Sequence, residues 1–467
     1  MELKPRKMPS APADSKKADT KKGVAKKKKP PRLVSLDAYR GFVMLAMASN
    51  GFAIAHVLRS HPEVVDQFQG TPYAVAWETG FRWLAVQLEH VAWTGCSFWD
   101  LIQPSFMFMV GVSMPFSFAA RKAAGQSTFR WLGHAVVRAA ILVLLGVFLQ
   151  SKGSPLTNFS FVNVLTQIGL GYLFVCLLLG RHLVFKLISV GLILGGYWYF
   201  FYDYTLPASE KESVTRYLTE VRNSDSAEWS QFTGLPAHWN KHVNAAAAFD
   251  RDFLNRFPRS EPEWKGKRFW VNSGGYQTLN FIPSIVTMIF GLMAGELLRQ
   301  PREGKRKFHL LVLGGSVCFV VAMGLDTTIW PAEAIEATGA TWSFCPAVKR
   351  IWTPTWTLFS GGWCFLMLAG FYWVIDLKRQ RWLAWPLMIV GMNSIAMYCM
   401  AQLIQGWVGR MLKIHLSTLD ALLNTNCVYY LFGDQFVFAP ICRGAAVLFI
   451  LWLVCWWMYR RKLFVRI

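Results

Sequence analysis

Charged side chains are scarce in this sequence: Asp, Glu, Lys and Arg make up 16% of its 467 residues, against 54% hydrophobic residues. A soluble domain carries roughly 25% charge, so water is not this chain's only solvent. Acids are scarcer still, 27 against 49 Lys and Arg, for a formal charge of +22. Such an excess suits nucleic acid only where it gathers on one folded face. Here the cations flank apolar stretches, and no nucleic-acid partner is expected. Also missing is any Cys-x-x-Cys pair among the nine cysteines, so cysteine usage points to no metal or redox motif. Cys176, Cys318, Cys364, Cys399 and Cys455 fall inside apolar stretches, where packing accounts for them.

What is present is apolar sequence in blocks of about 20 residues, the span of a bilayer core. The blocks predict an all-α polytopic membrane protein of about ten transmembrane helices, near 38–58, 98–120, 131–150, 160–180, 183–202, 277–298, 308–326, 355–375, 383–404 and 437–459. Four regions follow: a basic tail at 1–32, expected to be disordered; helices one to five with the candidate active site at 33–202; a small extracytoplasmic cap at 203–276; and helices six to ten at 277–467. The tail holds twelve basic residues. Ala46-Met-Ala48 has the form of a cleavage site, but the long basic tail, with Asp37 and Arg40 at the helix entrance, favours a retained signal anchor.

Loop charge sets the expected orientation. The tail, Arg121-Lys122 with Arg130, Arg181, the Arg299–Lys307 cluster, Lys378-Arg379 with Arg381, and Arg460-Arg461-Lys462 fall on one side, which the positive-inside rule makes cytoplasmic, with both termini. The opposite loops read as poor in basic residues, apart from 203–276, which is too long for the rule. The cap should pack on the membrane domain rather than stand alone. Within it His238 and His242 have a spacing that would place both imidazoles on one helix face, but no third ligand is in reach, and no metal is expected. Compartment chemistry would permit an outer disulfide between Cys345 and Cys427.

Polar groups inside a membrane helix need a partner or a function. Asp37 and Arg40, three apart, fit either an interfacial ion pair or an arginine facing a cytoplasmic anion. Asn50 lies roughly 14 Å beyond Gly41 at 1.5 Å per residue, toward the outer half of the bilayer. His90, in Glu89-His90-Val-Ala-Trp-Thr-Gly-Cys-Ser-Phe-Trp-Asp100, is either an interfacial histidine or a proton-transfer group. Arg138 is equally open between snorkelling and phosphate binding.

Taken together, Arg32, Ser35-Leu36-Asp37, Arg40-Gly41, Asn50, His90, Trp93, Gly95, Asp100, Pro104 and Phe106-Met-Phe-Met-Val-Gly111 resemble the transmembrane acyltransferases typified by heparan-alpha-glucosaminide N-acetyltransferase. So do Val164-Leu165 with Gln167 and Tyr172, Ile282-Pro283-Ser284 through Gly291 and Gly295, Trp352-Thr-Pro354-Thr-Trp356, and Gly391-Met-Asn393-Ser394. The resemblance covers 32–465. It implies acetyl transfer from cytoplasmic acetyl-CoA, as co-substrate, to an amine or hydroxyl of an amino sugar or other glycan at the opposite face, with His90 as the active histidine and Asn50 beside it. His90 would act as general base or as a nucleophile carrying acetyl. Arg40, Arg138, Arg121 and Arg130 are the candidates for CoA phosphates.

Two places depart from the family. Asn272–Thr278 stands where an acidic-Pro-Glu-Gly type stretch is usual, and Thr166-Gln167 where Gln-Arg is. A lysine-rich tail in place of a luminal domain favours a bacterial cytoplasmic membrane. Membrane lipids and a glycan acceptor are the expected partners, with homo-oligomerisation left open. The competing readings are a transporter or flippase of glycan or lipid-linked substrates, disfavoured by the lack of a repeat between halves, and a membrane scaffold.

Overall fold

Every apolar stretch expected to cross the membrane is helical, yet the ten are not alike. The structure, a computed structural model, describes residues 33–60, 74–225, 229–433 and 435–465; the lysine-rich tail lies outside them. In chain order the α-helices are α1 (Val34–Ser49), α2 (Ile54–Ser60), α3 (Ala74–Gln87), α4 (Ile102–Ala123), α5 (Thr128–Gln150), α6 (Val164–Leu177), α7 (Leu183–Tyr202), α8 (Ala208–Arg216), α9 (Ala245–Phe253), α10 (Phe281–Arg299), α11 (Gly304–Leu325), α12 (Ala332–Thr338), α13 (Pro354–Phe371), α14 (Arg381–Met392), α15 (Ser394–Leu403), α16 (Gln405–Leu423), α17 (Cys427–Phe432) and α18 (Ala439–Arg460). Among the described residues, β-pairing is limited to three isolated bridges.

Among those residues, eight helical stretches are long and apolar enough to span a bilayer, and nine if the pair α14–α15, bent by 68°, counts as one. α6 is apolar but has only 14 residues, about 21 Å at 1.5 Å per residue and short of a ~30 Å hydrocarbon core. The protein is a multi-pass, all-α membrane protein whose apolar stretches, among the described residues, include one short helix and one sharply bent pair. A second break interrupts the first stretch, expected whole at 38–58. Asn50, Gly51, Phe52 and Ala53 take φ of 47°, 63°, 51° and 56°, a left-handed turn that disfavours L-residues by roughly 1–2 kcal/mol each.

Glycines set two helix crossings. A Cβ on Gly41 would lie 1.8 Å from the Leu387 carbonyl oxygen, and one on Gly391 1.8 Å from that of Asp37, so α1 and α14 meet backbone to backbone. α4 and α10 repeat the device: a Cβ on Gly111 would lie 2.0 Å from the Met288 carbonyl oxygen, and one on Gly291 1.9 Å from that of Phe108. Lipid tails are as apolar as leucine, so association in the bilayer relies on such close packing. α4 and α10 form the centre, while α5, α7, α11 and α18 turn Leu144, Leu192, Val320 and Phe449 outward. Gly291→Ala is expected to destabilise by about 1–3 kcal/mol or more through overpacking, lowering the unfolding temperature in detergent. Gly324→Ala, with nothing within 4 Å of its Cβ, should leave that temperature nearly unchanged.

The insertion 203–276 sits at one end of the bundle, the cap end. It gathers Val214, Leu218, Trp229, Trp270 and Val271 into a small core, and Trp239 joins Phe201 of α7 with Trp93, Cys345 and Ile351. Phe257 stacks on Phe159 of the α5–α6 loop at 4.9 Å. His238 and His242 share no helix face. His238 lies in a short 3-10 turn with Nδ1 3.2 Å from the Tyr204 carbonyl oxygen, and His242 follows it at φ 67°. Cys345 and Cys427 are both free thiols, so the disulfide that the compartment would permit does not form.

Two buried groups make the cap sensitive to pH. Burial pushes Asp250 up to about 7, against the Thr278 N–H that its carboxylate accepts at 2.9 Å and the charges of Arg259 and Arg251. Burial likewise pushes His242 down to about 3, with nearby cations adding to it. An acid raised in the folded state holds its proton there while the unfolded chain has lost it, so Asp250's contribution falls as pH rises from about 4 to 7. His242 acts oppositely, losing stability as pH falls below about 6.5. Asp250→Asn is therefore expected to raise hydrogen-exchange protection of α9 more at pH 8 than at pH 5; an equal gain at both would rule out this account.

Candidate active site

His90 lies in the loop between α3 and the helical stretch beginning at Phe98. Ser97-Phe-Trp-Asp100 forms a capping box: Ser97 Oγ accepts the Asp100 N–H at 3.3 Å and the Asp100 carboxylate accepts the Ser97 N–H at 3.2 Å. The box satisfies amides left open at a helix start and fixes Asp100, which is fully buried. Its Oδ2 also accepts from Val91 N at 3.3 Å and from Ser97 Oγ at 3.0 Å, while Oδ1 lies 2.7 Å from His90 Nδ1. Gly95, at φ 94°, turns the loop so that its N–H donates to the Ala347 carbonyl at 3.1 Å, beside a Thr94–Val348 bridge.

That bridge brings in a second segment, 345–353, which delivers Lys349. Asp326 accepts the Ala347 N–H at 2.7 Å, Trp352 turns left-handed at φ 49°, and Thr353 caps α13 just before Pro354. Lys349, only 3% exposed, places Nζ 3.0 Å from Asp100 Oδ1 and 3.1 Å from His90 Nδ1. A carboxylate oxygen at 2.7 Å from a ring nitrogen requires a proton between them. Nδ1 therefore donates to Asp100, and Nε2 is the nitrogen with a free lone pair in the neutral ring. The buried carboxylate is matched by the buried ammonium. Arg350 donates to the carbonyls of Gly274 at 2.6 Å and Val91 at 3.2 Å, tying the His90 loop to 272–278. Burial drives the Cys96 thiol well above its ordinary value.

His90 and Asn50, singled out from the sequence, line one cavity of about 250 Å³, together with Trp99, Gln103, Tyr276 and Lys349. A neighbouring cavity of about 220 Å³ shares Gln103, Tyr276, Tyr398 and Gln402 with it and adds Gln150 and Asn163. The four arginines separate. Arg121 and Arg138 line another cavity of about 210 Å³ with Trp131, His134 and Tyr172. There Arg138 donates to Tyr172 Oη at 3.0 Å and lies 4.8 Å over its ring. Arg130 is exposed at the start of α5 and Arg40 is half-buried on α1; neither lines that cavity. The Arg121–Arg138 cavity shares no lining residue with the His90 cavity.

No family model matches the chain. It is 24% identical over 400 residues to the human (Homo sapiens) protein named heparan-alpha-glucosaminide N-acetyltransferase, across 79% of this chain and 52% of the human one. To the protein of the same name from Mus musculus it is 24% identical over 340 residues, across 66% of this chain and 48% of the mouse one. The chain is similar to proteins named heparan-alpha-glucosaminide N-acetyltransferase. It spans about half the length of the curated relatives it matches.

Many residues that carry the N-acetyltransferase-like resemblance have structural duties. Gly41, Gly391, Gly111 and Gly291 make the crossings, Trp93 Nε1 donates to the Trp239 carbonyl at 3.2 Å, and Asp100 caps a helix while holding His90. Lys349 and Arg350 are what sequence reasoning missed. Their loop reads as poor in basic residues, yet two adjacent cations, one residue before Trp352-Thr-Pro354, were the available signal.

Proposed function

We propose that this protein is a membrane-embedded acetyltransferase that moves acetyl from acetyl-CoA to an amine or hydroxyl of an amino sugar or other glycan at the cap end. One observation carries the reading: an imidazole whose Nδ1 is held by a buried carboxylate at 2.7 Å stands on a cavity shared with Asn50. The Nε2 lone pair takes the acceptor's proton as the acceptor attacks the thioester carbonyl, and returns it to the departing thiolate. Alternatively Nε2 attacks the thioester carbonyl first and expels the CoA thiolate; the acceptor then attacks the acetyl-imidazole, breaking the N–acyl bond, and the freed Nε2 takes its proton. In both routes Asp100 would stabilise the cationic ring, and the Asn50 amide, on the same cavity, would donate to the developing oxyanion.

The walls suit a sugar. Gln103, Gln150, Asn163 and Gln402 offer donors and acceptors to hydroxyls, while Trp99, Tyr276 and Tyr398 offer ring faces. Tyr276 belongs to the Asn272–Thr278 stretch that departs from the family, so acceptor choice would reside there. Arg121 and Arg138, which share one cavity, would hold CoA phosphates. In this reading the end with the basic loops faces the cytoplasm and the cap faces outward, as the positive-inside rule favours.

A transporter reading draws on the broken α14–α15 pair and the left-handed turn at Asn50, because discontinuous helices line transporter substrate sites. Purified protein incubated with radiolabelled acetyl-CoA and a panel of glucosamine-ended acceptors separates the two. Label on an acceptor supports the transferase. Glycan uptake into proteoliposomes without CoA, and no label on any acceptor, would replace it with the transporter.

A further inference from the structure

Asn50 also lines a second and larger cavity, of about 530 Å³. Three cations reach into its walls: Arg410 and Lys413 from α16, and Arg443 from α18. Arg410 and Lys413 are three residues apart, so one helix face presents both. Among the described residues none of the three forms an ion pair; Lys413 lies 5.9 Å over the Phe432 ring. Gln405, also on its wall, donates from Nε2 to the Ala48 carbonyl at 3.1 Å, fastening α16 to α1. Three like charges around one cavity repel one another until an anion enters.

We propose that this cavity binds a phosphate-bearing headgroup. Phosphate spreads its charge over several oxygens, so it can accept from two guanidinium forks and an ammonium together, where a carboxylate has only two oxygens to share among them. The phosphate can belong to a membrane lipid or to a soluble phosphate ester. α16 exposes Trp407, Ile414, Leu422 and Leu423 around the charged face, a flank that acyl chains would cover and a soluble ester would not. The proposal does not rest on the acyl-transfer reading, and its test needs no turnover.

The full-length protein is placed in nanodiscs of phosphatidylcholine alone, with phosphatidylglycerol added, or with inorganic phosphate added. The readouts are the unfolding temperature and the amount of phosphatidylglycerol retained after exchange. Wild type is compared with the triple variant Arg410→Gln/Lys413→Gln/Arg443→Gln and with Lys378→Gln/Arg379→Gln/Arg381→Gln at the opposite end. All three cavity cations are exposed, so the triple variant is expected to fold, and Arg410→Lys/Arg443→Lys keeps the charge as a further control. The expected result is stabilisation by phosphatidylglycerol in wild type and in the opposite-end variant. Each cation removed should weaken binding about tenfold, as for loss of a charged hydrogen bond. Stabilisation by inorganic phosphate, lost in the same variant, assigns the site to a soluble phosphate. A wild type indifferent to both probes, or a cavity variant that responds as wild type does, overturns the proposal.

Discussion

His90→Ala is expected to lower acetyl transfer by about 10³-fold or more in protein that still folds, since a positioned acid–base group alone is worth roughly 10²–10⁴. Its side chain is 43% exposed, so truncation removes little packing, and Asp100 keeps Lys349 and three other donors. Asp100→Asn tests the same pair from the other side. An amide NH₂ facing Nδ1 favours the tautomer with its proton on Nε2, which removes the lone pair the acceptor needs; a tautomer reversal of this kind costs on the order of 10⁴ in the Ser-His-Asp proteases. Asparagine can still accept the Ser97 N–H, so the cap should largely survive. Turnover of labelled acetyl-CoA, with unfolding temperature as the fold control, is the measurement. A His90→Ala protein within tenfold of wild type would move the chemistry elsewhere. Acetyl recovered on a His90 peptide after acid quenching would select the nucleophilic route.

Lys349→Met should be the most destabilising change near the site, by about 3–5 kcal/mol, because it leaves the Asp100 carboxylate buried without its cation. The ammonium is 3.0 Å from that carboxylate, with the two side chains 4% and 1% exposed. Removing both charges together is different in kind. Lys349→Met/Asp100→Asn should recover most of the lost unfolding temperature, since neither half of the pair remains uncompensated, while transfer stays low because His90 loses its partner. A double variant no more stable than Lys349→Met would show that Lys349 acts through packing instead.

The helices were legible because a bilayer demands that every backbone amide be satisfied within a continuous apolar stretch, and such stretches show in composition. Their interruptions were not. Gly51 alone hardly announces four consecutive left-handed residues, and nothing near Asn393 marks a 68° bend. Both breaks are tolerated because partners distant in sequence complete them, as when Val465 N donates to Asn393 Oδ1 at 3.1 Å. The same limit applies at the site. His90 and Asn50 could be chosen because each lies in a distinctive run, but Lys349 is 259 residues from His90 in the chain, and contacts such as the Thr94–Val348 bridge bring it there. Arg40, Arg121, Arg130 and Arg138 shared charge and an expected side, which said nothing of which would face one cavity. His238 and His242 had helical spacing without a helix, since the chain turns left-handed at His242 itself.

Asn50 lines both the His90 cavity and the cationic one, and an asparagine has a single amide plane. Whichever cavity draws the NH₂ toward it turns the carbonyl oxygen away from it. An anion among Arg410, Lys413 and Arg443 attracts the NH₂, as does an oxyanion beside His90, so the two occupants compete for one rotamer. Linkage makes that competition symmetrical at equilibrium: the factor by which one weakens the other is the factor by which it is itself weakened.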